Sequence, residues 1–373
     1  MKIVLAPDSF KGSLTSLEAT TVMKQAIESL GKDDEIIEKP MADGGEGTVD
    51  AIVSATGGEK IMLNCTGPVG KEITTYYGLI EKDTAVIEIA NIAGLFQVDK
   101  KKRNPDFTTT FGLGEVIKDA LDRGCKTLII GLGGSATNDA GLGMLMALGM
   151  KAFDEQGREV GIFGKDLLNV ARIDLENVDP RLKDITIKVA CDVENPLTGP
   201  LGASAIYGPQ KGATAERVVA YDKAMERFSQ LFSNPKLSKT PGAGAAGGLG
   251  FAFLILKSEL VSGAQLIGEF SRMEEAIQHA DLVITGEGQS DEQTLYGKAP
   301  GYVAELASKH QVPAILISGS LKGNLSPLLN KFIGCFSIVN RPIRLEKCME
   351  QAEKLLFEQT RQVVSLVHGI KQL

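Results

Sequence analysis

Glycine-rich turns that carry serine, lysine and carboxylate side chains recur in this 373-residue chain, and such turns can bind an anion. The longest lies in residues 127–144, TLIIGLGGSATNDAGLGM, where an apolar strand runs into a turn and then into a predicted helix over 142–150. Glycine lets the backbone approach a ligand closely, and the N–H groups at a helix N-terminus attract negative charge. The segment therefore predicts an anion site, with a cradle formed by the backbone of Gly133, Gly134 and Ser135.

Two familiar phosphate-binding motifs do not account for this turn. A Walker A loop requires Gly-Lys-Ser/Thr, which does not follow here, and the run GLGG at 131–134 lacks the third glycine of the dinucleotide fingerprint. The structural alternative is a tight strand-to-helix turn in which Asn138 or Asp139 caps the helix. The pattern alone leaves both interpretations open.

Polar clusters also follow other predicted strands. We expect buried strands, each with a helix after it, at residues 3–6, 36–39, 127–132, 282–285, 314–318 and 335–339. The polar residues just after these strands include Asp8, Ser9, Lys11, Asp43, Glu46, Ser135, Asn138, Asp139, Glu287, Asp291, Ser320 and Lys322. Alternating strands and helices predict a doubly wound parallel sheet, in which ligands bind beyond the carboxyl ends of the strands. We therefore expect these side chains to converge.

Each cluster also has a structural interpretation. Asp43 and Glu46 have the spacing of a capping box, in which the two side chains would satisfy N–H groups at the start of a helix. Ser290 and Gln293 have the same spacing. An exposed loop lysine is the alternative for Lys11. Three glycines around Asp43 exceed what a cap needs, which keeps a functional role open for that residue.

A second domain is indicated by a change of pattern near residue 57. Residues 61–65, 73–80 and 85–89 have the composition of short strands joined by turns, unlike the alternation of strands and helices on either side. The length of the chain also favours two or three domains, because a domain has roughly 150 residues.

Composition excludes several classes of function. The chain has 42 glycines, no tryptophan and a net charge of −7, with scattered basic residues, so nothing favours nucleic acid or an anionic membrane as a partner. Its five cysteines form no CxxC motif, and its three histidines have no metal-finger spacing. No segment has the pattern of a signal peptide or the length of a membrane span, so we expect a cytoplasmic protein.

The residue types of the clusters favour phosphoryl transfer over hydrolysis. No histidine falls in any cluster, and no cysteine has a His/Asn neighbourhood, which argues against Ser–His and thiol catalysis. Phosphoryl transfer requires backbone N–H groups for phosphate, carboxylates for Mg²⁺, a carboxylate that accepts a hydroxyl proton, and a cation for the developing charge. The clusters supply these groups.

Six long stretches resemble the type I glycerate kinases of bacteria and cover the chain in the order of that family. They are APDSFKGSLTSLEA (6–19), MADGGEGT (41–48), GLGGSATNDAGLGM (131–144), CDVENPLTGPLGASAIYGPQKGA (191–213), GAGAAGGLGFA (242–252) and ADLVITGEGQSDEQTLYGKAP (280–300). The resemblance implies ATP-dependent phosphorylation of D-glycerate on the 2-hydroxyl, giving 2-phosphoglycerate.

The resemblance also implies two α/β domains with the active site in the cleft between them. One would be a doubly wound, flavodoxin-like domain with helices on both faces of a parallel sheet, and the other a mixed α/β domain inserted into it. We place the flavodoxin-like domain at 1–57, 113–140 and 281–373, and the inserted domain at 58–112 and 141–280.

The chemistry of glycerate, a small anion with two hydroxyls, suggests roles for the polar residues. We expect Asp192 to be the general base, with an Asx-turn before Pro196 as the structural alternative. The other residues expected in catalysis are Lys11, Asp43 and Glu287, and the expected Mg²⁺ ligands are Asp192 and Glu287. The residues expected to bind phosphate or nucleotide are Gly133, Gly134, Ser135, Asn138 and Lys298. The residues expected to bind substrate are Asp8, Ser9, Asn195 and Asp291.

Three functional alternatives stay open. The product is 3-phosphoglycerate if the 3-hydroxyl is the acceptor. Another small-molecule kinase is indicated by the similarity of residues 131–136 to the Gly-Leu-Gly-Ser-Ser turn of the galactokinase/mevalonate kinase superfamily, although that family's preceding proline is not matched. A non-catalytic regulator would bind glycerate or nucleotide without releasing ADP. The expected partners are D-glycerate and ATP, and a homodimer is the oligomer to be tested.

Overall fold

A computed structural model describes residues 1–371 of the 373-residue chain and divides them into two compact units. The first unit comprises Met1–Asp43, Asp50–Thr56 and the described residues from Gly263 onward. The second unit comprises Gly44–Val49 and Gly57–Ser262. Among the described residues, no helix is long and apolar enough to cross a bilayer.

The strands, in chain order, are β1 Lys2–Pro7, β2 Glu35–Glu38, β3 Glu59–Thr66, β4 Glu72–Ile80, β5 Thr84–Glu88, β6 Thr127–Gly131, β7 Lys151–Phe153, β8 Arg172–Asp174, β9 Thr186–Ala190, β10 Glu259–Val261, β11 Leu282–Gly286, β12 Gln289–Ser290, β13 Ala314–Ser318, β14 Ser320–Leu321 and β15 Gly334–Ser337.

The α-helices are α1 Ser16–Glu28, α2 Thr48–Thr56, α3 Ile89–Ala93, α4 Phe111–Asp122, α5 Leu142–Ala147, α6 Gly164–Leu167, α7 Ala203–Tyr207, α8 Ala215–Gln230, α9 Ala245–Ile255, α10 Gly263–Phe270, α11 Met273–Gln278, α12 Ala299–Lys309, α13 Ser326–Leu329, α14 Leu345–Glu350 and α15 Ala352–Lys371.

The first unit is built on a five-stranded parallel sheet with the order β2-β1-β11-β13-β15. This is the flavodoxin-like order, and it confirms the predicted fold class. The chain adds β2 on one side of β1 and then continues with β11 on the other side. The strand order therefore reverses between β1 and β11, which is where doubly wound sheets bind ligands.

Helices cover both faces of this sheet because side chains alternate along each strand. Ile3, Ile284 and Ile317 belong to one buried cluster together with residues of α1 and α15. Val4 and Val283 alternate with residues of that cluster and are fully buried on the opposite face, where α12 packs against β1, β11 and β13. Buried apolar residues on both faces make the sheet a rigid base for the loops at its carboxyl edge.

The second unit contains a six-stranded mixed sheet with the order β10-β9-β6-β5-β4-β3. Strands β10, β9, β6 and β5 are parallel, whereas β4 and β3 are added as antiparallel neighbours. The short strands β7 and β8 form a separate antiparallel pair. A large buried cluster joins this sheet to α4, α5, α8 and α9.

The structure corrects the predicted domain borders in three places. Residues 113–140 belong to the second unit, because β6 hydrogen-bonds to β5 and β9 of that unit. Residues 263–280 belong to the first unit, since α10 and α11 pack against each other and against α12. Residues 44–49, predicted in the first domain, also lie in the second unit. The predicted strands therefore belong to two sheets, not one.

The sequence also predicts a long closing helix over 345–367 and a hairpin over 151–160, and the structure differs from both predictions. The long closing helix expected over 345–367 is two helices, α14 and α15, interrupted at Gln351. The hairpin expected over 151–160 is reduced to a single bridge between Phe153 and Glu159, because β7 pairs with β8 instead.

Candidate active site

Three of the predicted carboxylates lie at the carboxyl edge of the sheet in the first unit. Asp8 directly follows β1, Glu287 directly follows β11, and these strands are adjacent at the point where the strand order reverses. The Asp8 N–H donates to the Gly286 carbonyl over 2.8 Å, which carries the strand pairing one residue further. Asp43 follows β2, the strand on the other side of β1. The strand pairing thus brings these three carboxylates to one edge of the sheet.

Asp8 has the most perturbed environment of the three carboxylates. Only 5% of the residue is exposed. Burial and the nearby negative charges of Asp43 and Glu287 raise the pKa of Asp8 to about 7, although the Ser9 N–H donates to its Oδ1 over 2.6 Å and Lys11 lies nearby. Asp8 can therefore hold or release a proton close to neutral pH.

Lys11 supplies positive charge to the same cluster. Its Nζ lies 3.0 Å from Asp43 Oδ2, and its side chain is 76% exposed. The Asp43 carboxylate, followed by Asp8 and Glu287, raises the pKa of Lys11 above its ordinary value despite partial burial. The ammonium group is therefore charged at neutral pH, anchored by Asp43 and open to an anion from solvent.

Glu287 is held by hydroxyl groups on one side and a lysine on the other. Its Oε1 accepts hydrogen bonds from Ser290 Oγ (2.9 Å) and Thr294 Oγ1 (2.6 Å). Its Oε2 lies 3.6 Å from Lys298 Nζ. The predicted residues Glu287 and Lys298 thus form an ion pair, and Ser290 is further fixed by a 2.7 Å contact with Ser318 Oγ.

Asp291 has a structural contact in this loop. Its carboxylate accepts from the Gln293 N–H over 2.9 Å, and its own N–H donates to Thr294 Oγ1. The capping box expected for Ser290 and Gln293 is therefore formed one residue later, by Asp291 and Thr294. The reason is that the Ser290 hydroxyl is used by Glu287.

In the second unit, the glycine-rich turn after β6 packs directly on the backbone of residues 44–45. The Gly133 N–H donates to the Gly44 carbonyl over 3.0 Å. A Cβ on Gly133 would lie 2.5 Å from Gly45 Cα, so only glycine fits there. Gly134 is exposed and has a φ of +78°, a conformation that favours glycine. The turn thus exposes backbone at Gly134, whereas Gly133 is half-buried and Ser135 is buried.

The predicted helix over 142–150 is shorter than expected and does not begin at the turn. Helix α5 ends at Ala147 and its N-cap is Gly141, several residues after Ser135. The intervening loop is organised by Asp139, a fully buried carboxylate that accepts from the N–H groups of Gly141 and Gly143 and from Thr110. The dipole of α5 therefore does not start at the cradle, and Asp139 has a structural role.

Asn138 is fully buried as well. Its Nδ2 donates to Ser204 Oγ over 3.0 Å, which ties the loop to helix α7. This contact gives Asn138 a packing role, and contact with phosphate stays a prediction for this residue.

Sequence reasoning missed the lysine behind the turn. Lys211 is 3% exposed, and its Nζ donates to Ser135 Oγ (2.9 Å) and to the Thr137 carbonyl (2.6 Å). Burial lowers the pKa of Lys211 to about 7, while the Asp139 carboxylate opposes this shift. The segment GPQKGA contains this lysine, but a buried lysine has no sequence pattern that separates it from an exposed one.

Asp192 lies at the same sheet edge as the glycine-rich turn. It follows β9, which pairs with β6 in parallel so that Ala190 is opposite Gly131. The predicted borders placed Asp192 in a different domain from this turn, and the strand pairing corrects that assignment. Asp192 is exposed, as a group that reaches a ligand must be.

Asn195, three residues further, has both ends of its amide occupied. Its Nδ2 donates to the Leu201 carbonyl over 2.7 Å, and its Oδ1 accepts from the Tyr207 hydroxyl over 2.6 Å. Asn195 therefore shapes the loop that carries Asp192.

A second missed residue is Glu88, at the end of β5. It is 1% exposed, and its two oxygens accept from the N–H groups of Gly47 and Val49, each over 3.1 Å. Glu88 thus accepts hydrogen bonds from N–H groups at the start of α2, a role that the sequence predicted for Asp43 and Glu46. Glu46 is exposed and Asp43 pairs with Lys11, so the predicted capping box is replaced. The sequence signal for Glu88 was its position as a lone glutamate in the apolar run from 85 to 93.

Comparison with known proteins agrees with the resemblance seen in the sequence. Residues 3–368 match the model of the Glycerate kinase family. The chain belongs to the glycerate kinase family. A relative named glycerate kinase from Bacillus subtilis (strain 168) is 44% identical over 100% of this chain and 99% of its own length. One from Haemophilus influenzae, also named glycerate kinase, is 42% identical over 98% and 99%.

Two further relatives carry a more specific name. A protein of Escherichia coli (strain K12), named glycerate 2-kinase, is 44% identical over 86% of both chains. The crystal structure of a protein assigned as glycerate kinase 2 from Salmonella typhimurium LT2 superposes with a TM-score of 0.87, at 41% identity and with 100% of both chains covered. This chain therefore has the fold of a relative whose crystal structure is known.

The described part of the first unit contains oxygen donors of the kind that Mg²⁺ takes, but they do not form a complete metal site. Mg²⁺ takes oxygen ligands and usually binds one or two protein carboxylates together with water and substrate phosphate. Asp8, Asp43 and Glu287 supply such oxygens at one sheet edge. Within residues 1–371, no group of three or more His, Cys, Asp or Glu side chains has the arrangement of a metal site. Of the two predicted ligands, Glu287 lies in the first unit and Asp192 in the second, so neither unit alone contains both.

Proposed function

We propose that the chain transfers the γ-phosphoryl group of ATP to the 2-hydroxyl of D-glycerate and releases 2-phosphoglycerate. The observation that carries this proposal is the similarity, at 44% identity over 86% of both chains, to a relative named glycerate 2-kinase. The residues at the sheet edge of the first unit support it, because Lys11 offers a charged ammonium and Asp8 a buried carboxyl group at one place. A small substrate with one carboxylate and two hydroxyls needs such groups.

For the nucleotide, we propose that the backbone N–H groups of Gly134 and Ser135 bind phosphate, while Gly133, whose N–H donates to the Gly44 carbonyl, holds the turn in place. Close packing on residues 44–45 supports this role, since a preorganised set of N–H groups loses little free energy on reorganisation when it binds an anion. Lys298, which the sequence also predicts to bind phosphate, adds a positive charge. Its pairing with Glu287 keeps the ammonium in place before ATP binds.

For glycerate, we propose contacts with Asp8, Ser9 and Lys11. At and below about pH 7 the buried carboxyl group of Asp8 carries a proton in part of the molecules and can then donate a hydrogen bond to an oxygen of the substrate. The Lys11 ammonium pairs with the substrate carboxylate while Asp43 holds it in place.

For the proton of the attacking hydroxyl, we propose Asp192 as acceptor. It is exposed and lies at the same sheet edge as the proposed phosphate cradle. Asp192 and Glu287 are also the proposed ligands of Mg²⁺. When bound, Mg²⁺ neutralises charge that develops on the phosphate oxygens.

Replacement of Asp192 by asparagine tests this assignment. A general base contributes about 10²- to 10⁴-fold to a rate, so D192N should lower kcat by that factor while the urea unfolding midpoint stays near that of the wild type. Glu194→Gln, which alters an exposed carboxylate in the same loop, is the matched control and should keep most of the activity. A near-normal kcat for D192N would exclude Asp192 as the base.

The alternatives differ in their products. A kinase for another small molecule would release ADP with a different hydroxy acid or sugar in a substrate panel. A non-catalytic regulator would bind glycerate or nucleotide and release no ADP with any substrate. Production of 3-phosphoglycerate would keep the kinase activity and change only the acceptor hydroxyl.

A further inference from the structure

Lys211 places a positive charge directly behind the glycine-rich turn of the second unit. Its ammonium group is 2.9 Å from Ser135 Oγ and 2.6 Å from the Thr137 carbonyl, and the residue is 3% exposed. A lysine is almost never fully buried unless it is paired. Lys11 and Lys298, the two lysines that the sequence predicted for the site, are partly exposed, which sets Lys211 apart from them.

The chemistry of an ammonium group fixes the direction of the Ser135 hydrogen bond. An ammonium group has three donors and no acceptor, so Ser135 Oγ must accept from Lys211. The Ser135 hydroxyl hydrogen is then directed elsewhere. Within the described part of the chain, residues 1–371, no protein acceptor takes that hydrogen. Ser135 therefore retains one donor for a ligand, and the same residue belongs to the proposed phosphate cradle.

We propose that Lys211 is a positioning residue for phosphate binding: its ammonium group holds the Ser135 hydroxyl as an acceptor, so that Ser135 donates its hydrogen to the anion in the cradle. This inference rests on the proposed function of the turn as the phosphate site. Lys211 acts through Ser135 and through its positive charge behind the cradle.

The electrostatic surroundings make this arrangement sensitive to protonation. Burial lowers the pKa of Lys211 to about 7, and the charged group that acts against the shift is Asp139, on the loop between β6 and α5. Arg103, whose carbonyl packs against Gly212, directs its guanidinium at the Leu95 carbonyl over 3.2 Å. A neutral amine can accept a hydrogen bond, so loss of the proton lets Ser135 turn its hydrogen inward. Anion binding should therefore favour the charged amine and be linked to proton uptake.

Nucleotide affinity measured against pH tests the inference directly. We would titrate ATP into the full-length protein without glycerate by isothermal titration calorimetry, from about pH 6 to about pH 9, in buffers of different ionisation enthalpy. A linked site loses up to about tenfold in affinity per pH unit above its pKa. For the wild type we expect ATP affinity to fall as pH rises above about 7, with proton uptake on binding in that range.

Two variants separate positioning from mere stabilisation. K211M should weaken ATP binding at about pH 7 by on the order of tenfold or more, as loss of a hydrogen bond involving a charged group does, and should flatten the pH profile. S135A keeps the buried lysine and its charge, so it should lose affinity while it retains part of the pH dependence. K211M should lower ATP affinity by a smaller factor in the S135A background than in the wild type, because both changes remove the same donor.

The outcomes are distinct. Wild-type affinity that does not change with pH, or an S135A variant that binds ATP as the wild type does, would overturn the inference. If K211M does not fold, the ATP affinity of S135A alone tests the inference. ATP binding is measured without turnover, so a chain that binds ATP with the expected pH profile but does not phosphorylate glycerate would refute the proposed reaction and leave the role of Lys211 standing.

Discussion

Replacement of Gly133 by alanine tests whether the proposed phosphate cradle is built on residues 44–45. A Cβ at this position would lie 2.5 Å from Gly45 Cα and 3.0 Å from Gly45 N. Non-bonded carbon atoms have their best separation at about 3.5–4.0 Å, so one of the two backbone segments must move by roughly 1 Å. Since both atoms belong to backbone, no side-chain rotation relieves the overlap.

The size of the effect follows from this geometry. Overpacking of a buried site costs about 1–3 kcal/mol, and we expect about 2–3 kcal/mol for G133A because backbone must move. The movement also disturbs the 3.0 Å hydrogen bond from the Gly133 N–H to the Gly44 carbonyl. If the turn binds phosphate, the same displacement raises KM for ATP.

Urea unfolding followed by circular dichroism measures the stability change, because the chain has no tryptophan for fluorescence. Gly369→Ala is the matched control. Gly369 is exposed on α15, and among the described residues a Cβ added there would meet no heavy atom within 4 Å outside its own helix. That exchange should be neutral or stabilise the protein by up to about 1 kcal/mol. An unchanged urea midpoint together with an unchanged KM for ATP in G133A would refute the proposed packing role of the turn.

The buried titratable groups give two predictions about stability. The pKa of Asp8 is about 7 in the folded chain and 3.8 ordinarily, so the folded state binds more protons in that range and the free energy of unfolding falls as pH rises from about 4 to about 7. D8N should flatten that fall in urea midpoints measured across the range, and an equally steep fall would contradict the assigned environment. The pKa of Lys211 is lowered from 10.5 to about 7, so the unfolded state binds more protons and wild-type stability should rise between those values. K211M should abolish this rise in the same assay, and its persistence would exclude Lys211 as the source.

The fold of the first unit could be predicted because its signals are local. Apolar runs such as 282–285 end in glycine and polar residues before a helix, and that pattern predicts a parallel sheet without knowledge of the pairing. Residues 113–140 carry the same pattern, but they lie in the second unit, and their strand β6 belongs to the sheet of that unit. Which strand pairs with β6 is decided by contacts distant in sequence, so a local pattern cannot assign it.

The cluster of carboxylates at the sheet edge could be predicted because charged residues directly follow predicted strands. Asp8, Asp43 and Glu287 follow three adjacent strands, and the structure brings them to one edge. Lys211 and Glu88 were missed because their importance comes from burial, and a sequence does not state which charged residues lose contact with solvent.

The hydrogen-bond partners of side-chain amides could not be predicted from the sequence either. Asn195 has the type and position of a ligand-binding residue, yet Leu201 and Tyr207 occupy its amide group. Such contacts depend on how a loop closes on itself, which spacing alone does not determine.

Phosphorus NMR of the reaction product tests the central claim most directly. The full-length protein would be incubated with ATP, Mg²⁺ and D-glycerate, with D192N as the matched control. We predict that the wild type forms ADP together with 2-phosphoglycerate, and that D192N forms both at least about a hundredfold more slowly. Formation of 3-phosphoglycerate alone would contradict the assigned acceptor hydroxyl, and the absence of any phosphoglycerate would contradict the proposed reaction.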